Sequence, residues 1–277
     1  MSSGFPRRAW VLAALLGLSG AWAPAPGRVL RVCADPNNLP FSNRRGQGFE
    51  NRIADLIARD LGARVEYTWW AQRRGFLRNT LNSGACDVVM GVPAIMKRVL
   101  CTPPYYRSTY VFVTRRDAGL EVHSFDDPVL RRVRVGVQLI GDDGANTPPA
   151  DALARRGITQ NVRGYTVYGD YSTDSPPARI IDAVARGDVD VAVAWGPMAG
   201  YWARRSPVPL RLAPVRPSFQ PPIPFAFDIA LGVRRSDSTL RGSLARILAH
   251  RRADIGRILD AYGVPRVDPT PARRRAS

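Results

Sequence analysis

The sequence predicts a two-lobed α/β protein, with mixed sheets flanked by helices and two crossing hinge strands between the lobes. Three observations carry this: a strand-helix alternation of the βαβαβ kind that occurs twice, a constant offset of 103 residues between the copies, and two apolar strands placed to lead the chain across and back. At 277 residues and 45% apolar, the chain is long enough for two lobes with separate cores.

The first copy opens with the alternating strand Arg28, Val29, Leu30, Arg31, Val32, Cys33, which runs into the turn-forming Asp35, Pro36, Asn37 and Asn38. Phe49, Ile53, Leu56, Ile57 and Leu61 then recur at helical spacing until Gly62 stops them. A strand over residues 65–69 follows, then Leu77 and Leu81 on one helical face, Gly84, and a third strand at residues 87–90. The second copy has strands at residues 134–137 and 162–168, helical patterns around Ala152 and Ile180, and a strand at residues 191–194. Cys33 matches Gly136, Gly84 matches Gly187 and Asp87 matches Asp190, each 103 residues apart. The glycine lets a helix end in a left-handed conformation, and the aspartate turns the chain into the next strand.

The aromatic corner Tyr105, Tyr106 feeds an extended strand, and a second apolar strand arrives after the proline-rich residues 214–224. The hinge is expected where residues 111–115 and 225–232 cross antiparallel. Two helical segments near residues 239–249 and 253–262 come after lobe two is complete, so they are expected to return to lobe one. The resulting organisation is a signal peptide over residues 1–21, lobe one over 28–112 plus 225–264, lobe two over 116–222, and a flexible basic tail over 265–277.

Arg7 and Arg8 precede an apolar run over residues 9–18, followed by the small residues Ser19, Gly20 and Ala21. This pattern reads as an export signal cleaved after Ala21. The run is shorter than the roughly 20 residues a spanning helix needs, so no stable membrane insertion is expected. The formal charge is +17, almost all of it arginine, since Lys97 is the only lysine. That balance favours an anionic partner. Nucleic acid is not expected: the arginines occur singly or in pairs such as Arg73-Arg74, without a basic stripe interleaved with stacking aromatics. Cys33, Cys86 and Cys101 lack the spacing of a metal or redox motif. An oxidising compartment admits one disulfide. Cys33 and Cys86 read as buried strand positions; a Cys86–Cys101 bridge is one pairing the sequence allows, and sequence alone leaves it open.

Ligands of open α/β sheets collect beyond the carboxyl ends of the strands. In lobe one those ends offer Asn37, Asn38, Phe41, Trp69, Trp70, Arg73 and Pro93, with Tyr105, Tyr106, Arg107 and Ser108 at the aromatic corner. Lobe two offers Gln138, Asp170, Tyr171 and Trp195. This aromatic and amide-bearing inventory suits stacking or an apolar solute better than a small charged metabolite. Adjacent in a strand, Trp69 and Trp70 point to opposite faces. Enzyme readings do badly. His123 and His250 are the only histidines and belong to no metal cluster, no serine sits in a GxSxG elbow, and no glycine-rich phosphate loop follows a strand. Asp142-Asp143 between Gly141 and Gly144 reads as a turn. Glu50 with Asp55, or Asp170 with Asp174, is a hydrolytic pair only if the carboxylate separation proves right. No catalytic residue, metal ligand or cofactor is expected.

Gly48-Phe49-Glu50, Pro104-Tyr105-Tyr106 and the junctions at residues 84–90 and 187–194 resemble those of the periplasmic solute-binding proteins, over residues 28–264. That resemblance implies the type II periplasmic-binding-protein fold. The stretches CADPNNLPFSN (33–43), YTWWAQRRGF (67–76), CDVVMGVP (86–93) and YYRSTYVFV (105–113), with PPARI (176–180) and AWGP (194–197), resemble the J-type accessory branch associated with quinoprotein methanol and alcohol dehydrogenases. The resemblance implies a periplasmic location and a dehydrogenase partner that uses pyrroloquinoline quinone, without implying that this chain holds the quinone. Amino-acid-binding relatives place a carboxylate-binding arginine where Ile95 stands, and an ammonium-binding aspartate where Trp195 stands. Losing both charged anchors disfavours a zwitterionic ligand. The expected function is therefore a non-enzymatic accessory protein that interacts with the dehydrogenase or assists its maturation. The alternative is the substrate-binding component of an ABC transporter, delivering a small aromatic or metal-complexed solute to a permease.

Overall fold

The computed structural model describes residues 27–139, 146–166 and 175–267. The signal-peptide residues 1–21, Asp142, Asp143, and residues 268–277 of the basic tail lie outside them. In β1 (Arg28–Ala34) the apolar alternation puts Leu30, Val32 and Ala34 in the core, as the two-residue period of a strand requires. The short strands β2 (Asn37–Asn38) and β3 (Ser42–Asn43) pair with each other and lead into α1 (Phe49–Asp60). That helix begins where Asn51 Oδ1 accepts hydrogen bonds from Gly48 N at 3.0 Å and Asn43 N at 3.2 Å. Its Phe49, Ile53 and Ile57, four residues apart, are fully buried.

Next come β4 (Ala63–Trp69), α2 (Phe76–Asn79), β5 (Val88–Pro93), β6 (Leu100–Cys101) and the long β7 (Tyr106–Arg115). The helix expected to include Leu81 stops at Asn79, where Thr80 Oγ1 donates back to Phe76 O at 2.7 Å, and Leu81 is buried outside it. The second half runs through β8 (Val135–Leu139), α3 (Pro148–Ala154), β9 (Val162–Thr166), α4 (Arg179–Arg186), β10 (Val191–Trp195), α5 (Gly196–Ala203) and β11 (Leu210–Pro214). A hairpin of β12 (Phe219–Gln220) and β13 (Ile223–Pro224) precedes β14 (Ala226–Val233), α6 (Ser238–His250) and α7 (Arg252–Ala261).

The strand order is β4-β1-β5-β14-β7-β10-β8-β9, with β11 paired to β7 and β6 to β14. In each lobe three strands are parallel: β1 pairs with β4 and β5, and β8 pairs with β9 and β10. The hinge strands β7 and β14 run antiparallel to their neighbours, so each sheet is mixed. Leu244 and Leu248 of α6 and Ile255 and Leu259 of α7 join the apolar cluster built by β1, α1 and β5. A separate cluster around Phe112, Phe125, Leu130 and Val193 fills the other lobe.

The repeat is visible in hydrogen-bond register. Val32 pairs with Val88, and Val135 with Val191, the same relationship displaced by 103 residues. Arg31 grips Asp87 at 2.6 Å, as Arg134 grips Asp190 at 2.7 Å. Gly84 and Gly187 both take left-handed φ values, +77° and +76°. The aspartates thus do more than turn the chain: each ties the start of one strand to its parallel neighbour.

One expectation is corrected, and one pairing the sequence left open is decided. Residues 111–115 pair with β10 and β11 rather than with β14; the two crossing strands meet where residues 106–109 pair with residues 226–229. The disulfide joins Cys33 to Cys86, with Cα atoms 5.5 Å apart, and leaves Cys101 as a free thiol. The β1–β5 pairing brings Cys33 beside the residue that enters β5, whereas Cys101 is held opposite Gly232 of β14. Lobe two has no counterpart bridge: its matching positions are Gly136 and Val189, and a Cβ on Gly136 would touch Val189 Cγ2 at 3.3 Å.

Candidate functional site

The carboxyl ends of β1 and β5, the crossing of β7 with β14, and the end of β10 converge on a cleft of about 410 Å³ between the lobes. That size suits a small organic molecule. Its wall includes the rings of Phe41, Tyr106, Tyr110, Trp195 and Phe227. Trp195 meets Tyr110 edge-on with ring centroids 5.3 Å apart and Phe227 at 5.9 Å, while Phe41 leans on buried Phe49 at 5.2 Å. Tyr110 and Phe227 reach it because β7 and β14 carry alternate side chains to opposite faces where they cross.

Besides the tyrosine hydroxyls, the polar side chains in this wall are amides, the Thr147 hydroxyl and one carboxyl. Gln138 Oε1 accepts from Trp195 N at 2.9 Å, and Thr147 Oγ1 donates to Gln138 O at 2.7 Å, fixing the lobe-two side. Opposite, Asn38 Nδ2 donates to Gln72 Oε1 at 3.2 Å, and Gln72 N donates to Asp35 Oδ2 at 2.7 Å. Asn38 Oδ1 is buried with no hydrogen-bond partner. Glu50, in the first turn of α1, is only 8% exposed and borders the same cleft. Its carboxyl is pushed up to about 8, first by burial and then by the neighbouring Asp35 carboxylate. A helix N-terminus favours a carboxylate by about 0.3–1 kcal/mol, which is too little to offset that desolvation.

Close packing holds Glu50 in place. A Cβ at Gly91 would lie 2.2 Å from Glu50 Oε1, and one at Gly48 would lie 1.9 Å from Phe41 O. Burial also raises the phenols of Tyr105 and Tyr106 well above their ordinary value. Tyr105 OH donates to Met90 O at 2.8 Å, which aligns the end of β5 with the start of β7.

Of the residues expected at the site, Asn38, Phe41, Pro93, Tyr106, Gln138 and Trp195 border the cleft. Others have different work. Asn37 Oδ1 accepts from Ser175 N at 3.4 Å, a contact between lobes. Trp69 stacks on Tyr67 at 4.5 Å, beneath Arg44, and Trp70 on the opposite face is 42% exposed. Arg73 is exposed on the rim. Tyr105 serves the backbone contact just described, Arg107 pairs with Asp228 at 2.9 Å, and Ser108 Oγ donates to Pro265 O at 2.6 Å. Asp170 and Tyr171 lie outside the described residues.

Sequence reasoning missed Glu50 as a cleft group, having weighed it only as half of a hydrolytic pair, and missed Gln72, Met96, Tyr110 and Phe227. Gly91 inside an apolar strand was the available signal, because such a glycine marks close approach by another group. Ile95, where the resemblance places an arginine anchor, is not among the cleft-lining residues and is 77% exposed. No basic side chain among the described residues lines the cleft. Among the described residues, no group of three or more His, Cys, Asp or Glu side chains is placed to hold a metal ion, and no helix is long and apolar enough to cross a membrane.

Comparison with known proteins agrees with this architecture. The chain is 36% identical over 249 residues to Protein MoxJ of Methylorubrum extorquens, covering 85% of this chain and 81% of that protein. It is 30% identical to Protein MoxJ of Paracoccus denitrificans, covering 85% and 88% respectively. The crystal structure of the periplasmic binding protein XoxJ from Methylobacterium extorquens AM1 superposes with a TM-score of 0.71 at 34% identity, over 87% of this chain and all of that one. The model of the bacterial extracellular solute-binding proteins, family 3, matches residues 30–264. With its two-lobed type II fold, the chain is a periplasmic binding protein that belongs to that family.

Proposed function

We propose that this chain is a periplasmic accessory protein that binds a quinoprotein methanol or alcohol dehydrogenase directly and assists its maturation. The similarity to the MoxJ proteins supports the reading, together with the J-type sequence stretches. The observation that carries it is the rim of lobe one. Trp70 and Ile95 are exposed there, in the loops that follow β4 and β5. Arg74, Lys97 and Arg98 lie within four residues of them in the chain, and these, with Arg45 and with Arg44 over the Trp69 ring, are exposed and form no ion pair among the described residues. Exposed apolar side chains with unpaired cations near them in the chain fit an acidic protein surface, and the net positive charge steers the encounter.

The test is to mix the mature protein with the apo and holo dehydrogenase, following binding by surface plasmon resonance and activation by turnover. Binding that weakens with salt, accompanied by faster activation of the apo form, supports the reading. No binding to either form together with unchanged activation rejects it. The cleft favours a second reading, a transport receptor, because it retains a volume of about 410 Å³. That reading predicts saturable lobe closure by a solute without any dehydrogenase contact.

A further inference from the structure

We propose that α5 of lobe two is latched to lobe one, so that the chain itself fixes the angle between the lobes and holds the cleft at one width independently of any ligand. The proposal is independent of the dehydrogenase reading.

Two segments of lobe one reach across to lobe two. The first is the β2–β3 hairpin. Leu39 O accepts from Trp202 Nε1 of α5 at 3.2 Å, Asn37 Oδ1 accepts from Ser175 N at 3.4 Å, and Phe41 packs on the apolar clusters of both lobes. The second is the end of α7 and the residues after it. Asp260 O accepts from Arg204 Nη1 at 2.9 Å, and the Tyr262 ring stacks on Tyr201 with centroids 5.6 Å apart and planes 16° apart. The Arg205 guanidinium lies 3.6 Å over the same Tyr201 ring. Tyr262 OH donates to Gln47 O, which ties the two segments to each other.

Glycine makes the contact possible. Gly196, Gly200 and Arg204 recur at four-residue spacing, which puts one face of α5 and its end on the segment after α7. A Cβ at Gly200 would lie 2.0 Å from Gly263 O, and one at Gly196 would lie 3.2 Å from Pro265 Cγ. Helix backbone from one lobe therefore touches backbone from the other. At the matching place in lobe one, after β5, the chain runs as a loop to β6, so α5 is an addition to the repeat.

A hinge of two crossing strands by itself lets lobes rotate. Rotation here must break the hydrogen bonds, the ring stack and the Phe41 packing together, because all of them join the same two bodies. A ligand shifts such an equilibrium only by its differential affinity for the two states. In this chain intramolecular contacts already supply that difference.

The test uses the mature protein refolded from guanidinium, which strips any bound solute, with Cys101→Ser so that only introduced thiols are labelled. Spin labels at Lys97→Cys and Asn146→Cys, both exposed and on opposite lobes, report the interlobe distance by pulsed EPR. One narrow distribution is expected, with less than about 5% of chains at longer distances. Gly200→Ala, which drives a methyl into Gly263 O, should raise that share at least about fivefold, and Trp202→Ala at least about twofold. Thermal melts establish that each variant is folded. A broad or two-peaked distribution with the native seam overturns the proposal whatever the variants do, and so does a folded variant of either kind that keeps the single narrow distribution. No dehydrogenase enters the measurement, so its outcome leaves that reading untouched.

Discussion

Arg107 and Asp228 face each other across the crossing strands β7 and β14, register partners whose side chains form an ion pair at 2.9 Å. The pair sits where the chain leaves lobe one and where it returns, so it braces the crossing of the two hinge strands. Asp228 is substantially exposed, and solvent screens the attraction. Asp228→Asn should therefore cost no more than about 1 kcal/mol. Arg107→Ala should cost more, about 1–2 kcal/mol, because its largely buried stem also packs. Urea midpoints at constant m-value measure both.

Gly91→Ala places a methyl within van der Waals overlap of Glu50 Oε1. The expected loss is about 1–3 kcal/mol, with a smaller cleft. Combining it with Glu50→Ala removes the clash, so the double variant should be more stable than the sum of the singles predicts. A double-mutant cycle measures the coupling.

Reduction of Cys33–Cys86 frees a loop with a sequence separation of 53 and should lower stability by about 4 kcal/mol. Cys101→Ser should leave the sensitivity to reductant unchanged, because that thiol is outside the bridge. Denaturation with and without dithiothreitol distinguishes the two.

Stability should fall as pH rises through the neutral range. Glu50 has a higher proton affinity in the folded protein than in the unfolded chain, so its contribution is full below about 4.5 and is lost as pH rises through about 8. Asp87 and Asp190 behave oppositely. Burial disfavours the Asp87 carboxylate, but bonds from Arg31 and Arg234 outweigh it; Arg134 lowers Asp190. Their contribution is present above the ordinary carboxylate value of 3.8 and is lost as pH falls through their lowered values. Glu50→Gln should flatten the neutral slope, at most about 1.4 kcal/mol per pH unit, and leave the acid limb intact. Urea titrations between pH 5 and pH 9 provide the measurement.

Trp70→Ala and Ile95→Ala should each weaken dehydrogenase binding by about tenfold or more while leaving the melting temperature unchanged, since both side chains are exposed. Equal affinity in both variants would move the contact away from the lobe-one rim.

Residue order by itself determined the strand-helix alternation and the repeat at 103 residues, because each is a local pattern or a fixed spacing, while the missing charged anchors at Ile95 and Trp195 came from the family resemblance. It also named Trp195, Gln138 and Asn38 as residues at strand ends, where cleft residues belong. Tertiary structure decided the rest. Which two of three cysteines join depends on how β1 and β5 pair, and which residues of β7 and β14 cross depends on register between segments more than a hundred residues apart. The place of Glu50 was hidden for the same reason: nothing beside it in the chain makes it buried, and only the approach of Gly91 and the aromatic corner removes it from water. Long-range packing sets the environment of a side chain, and environment gives an ordinary helix-start carboxyl its raised proton affinity.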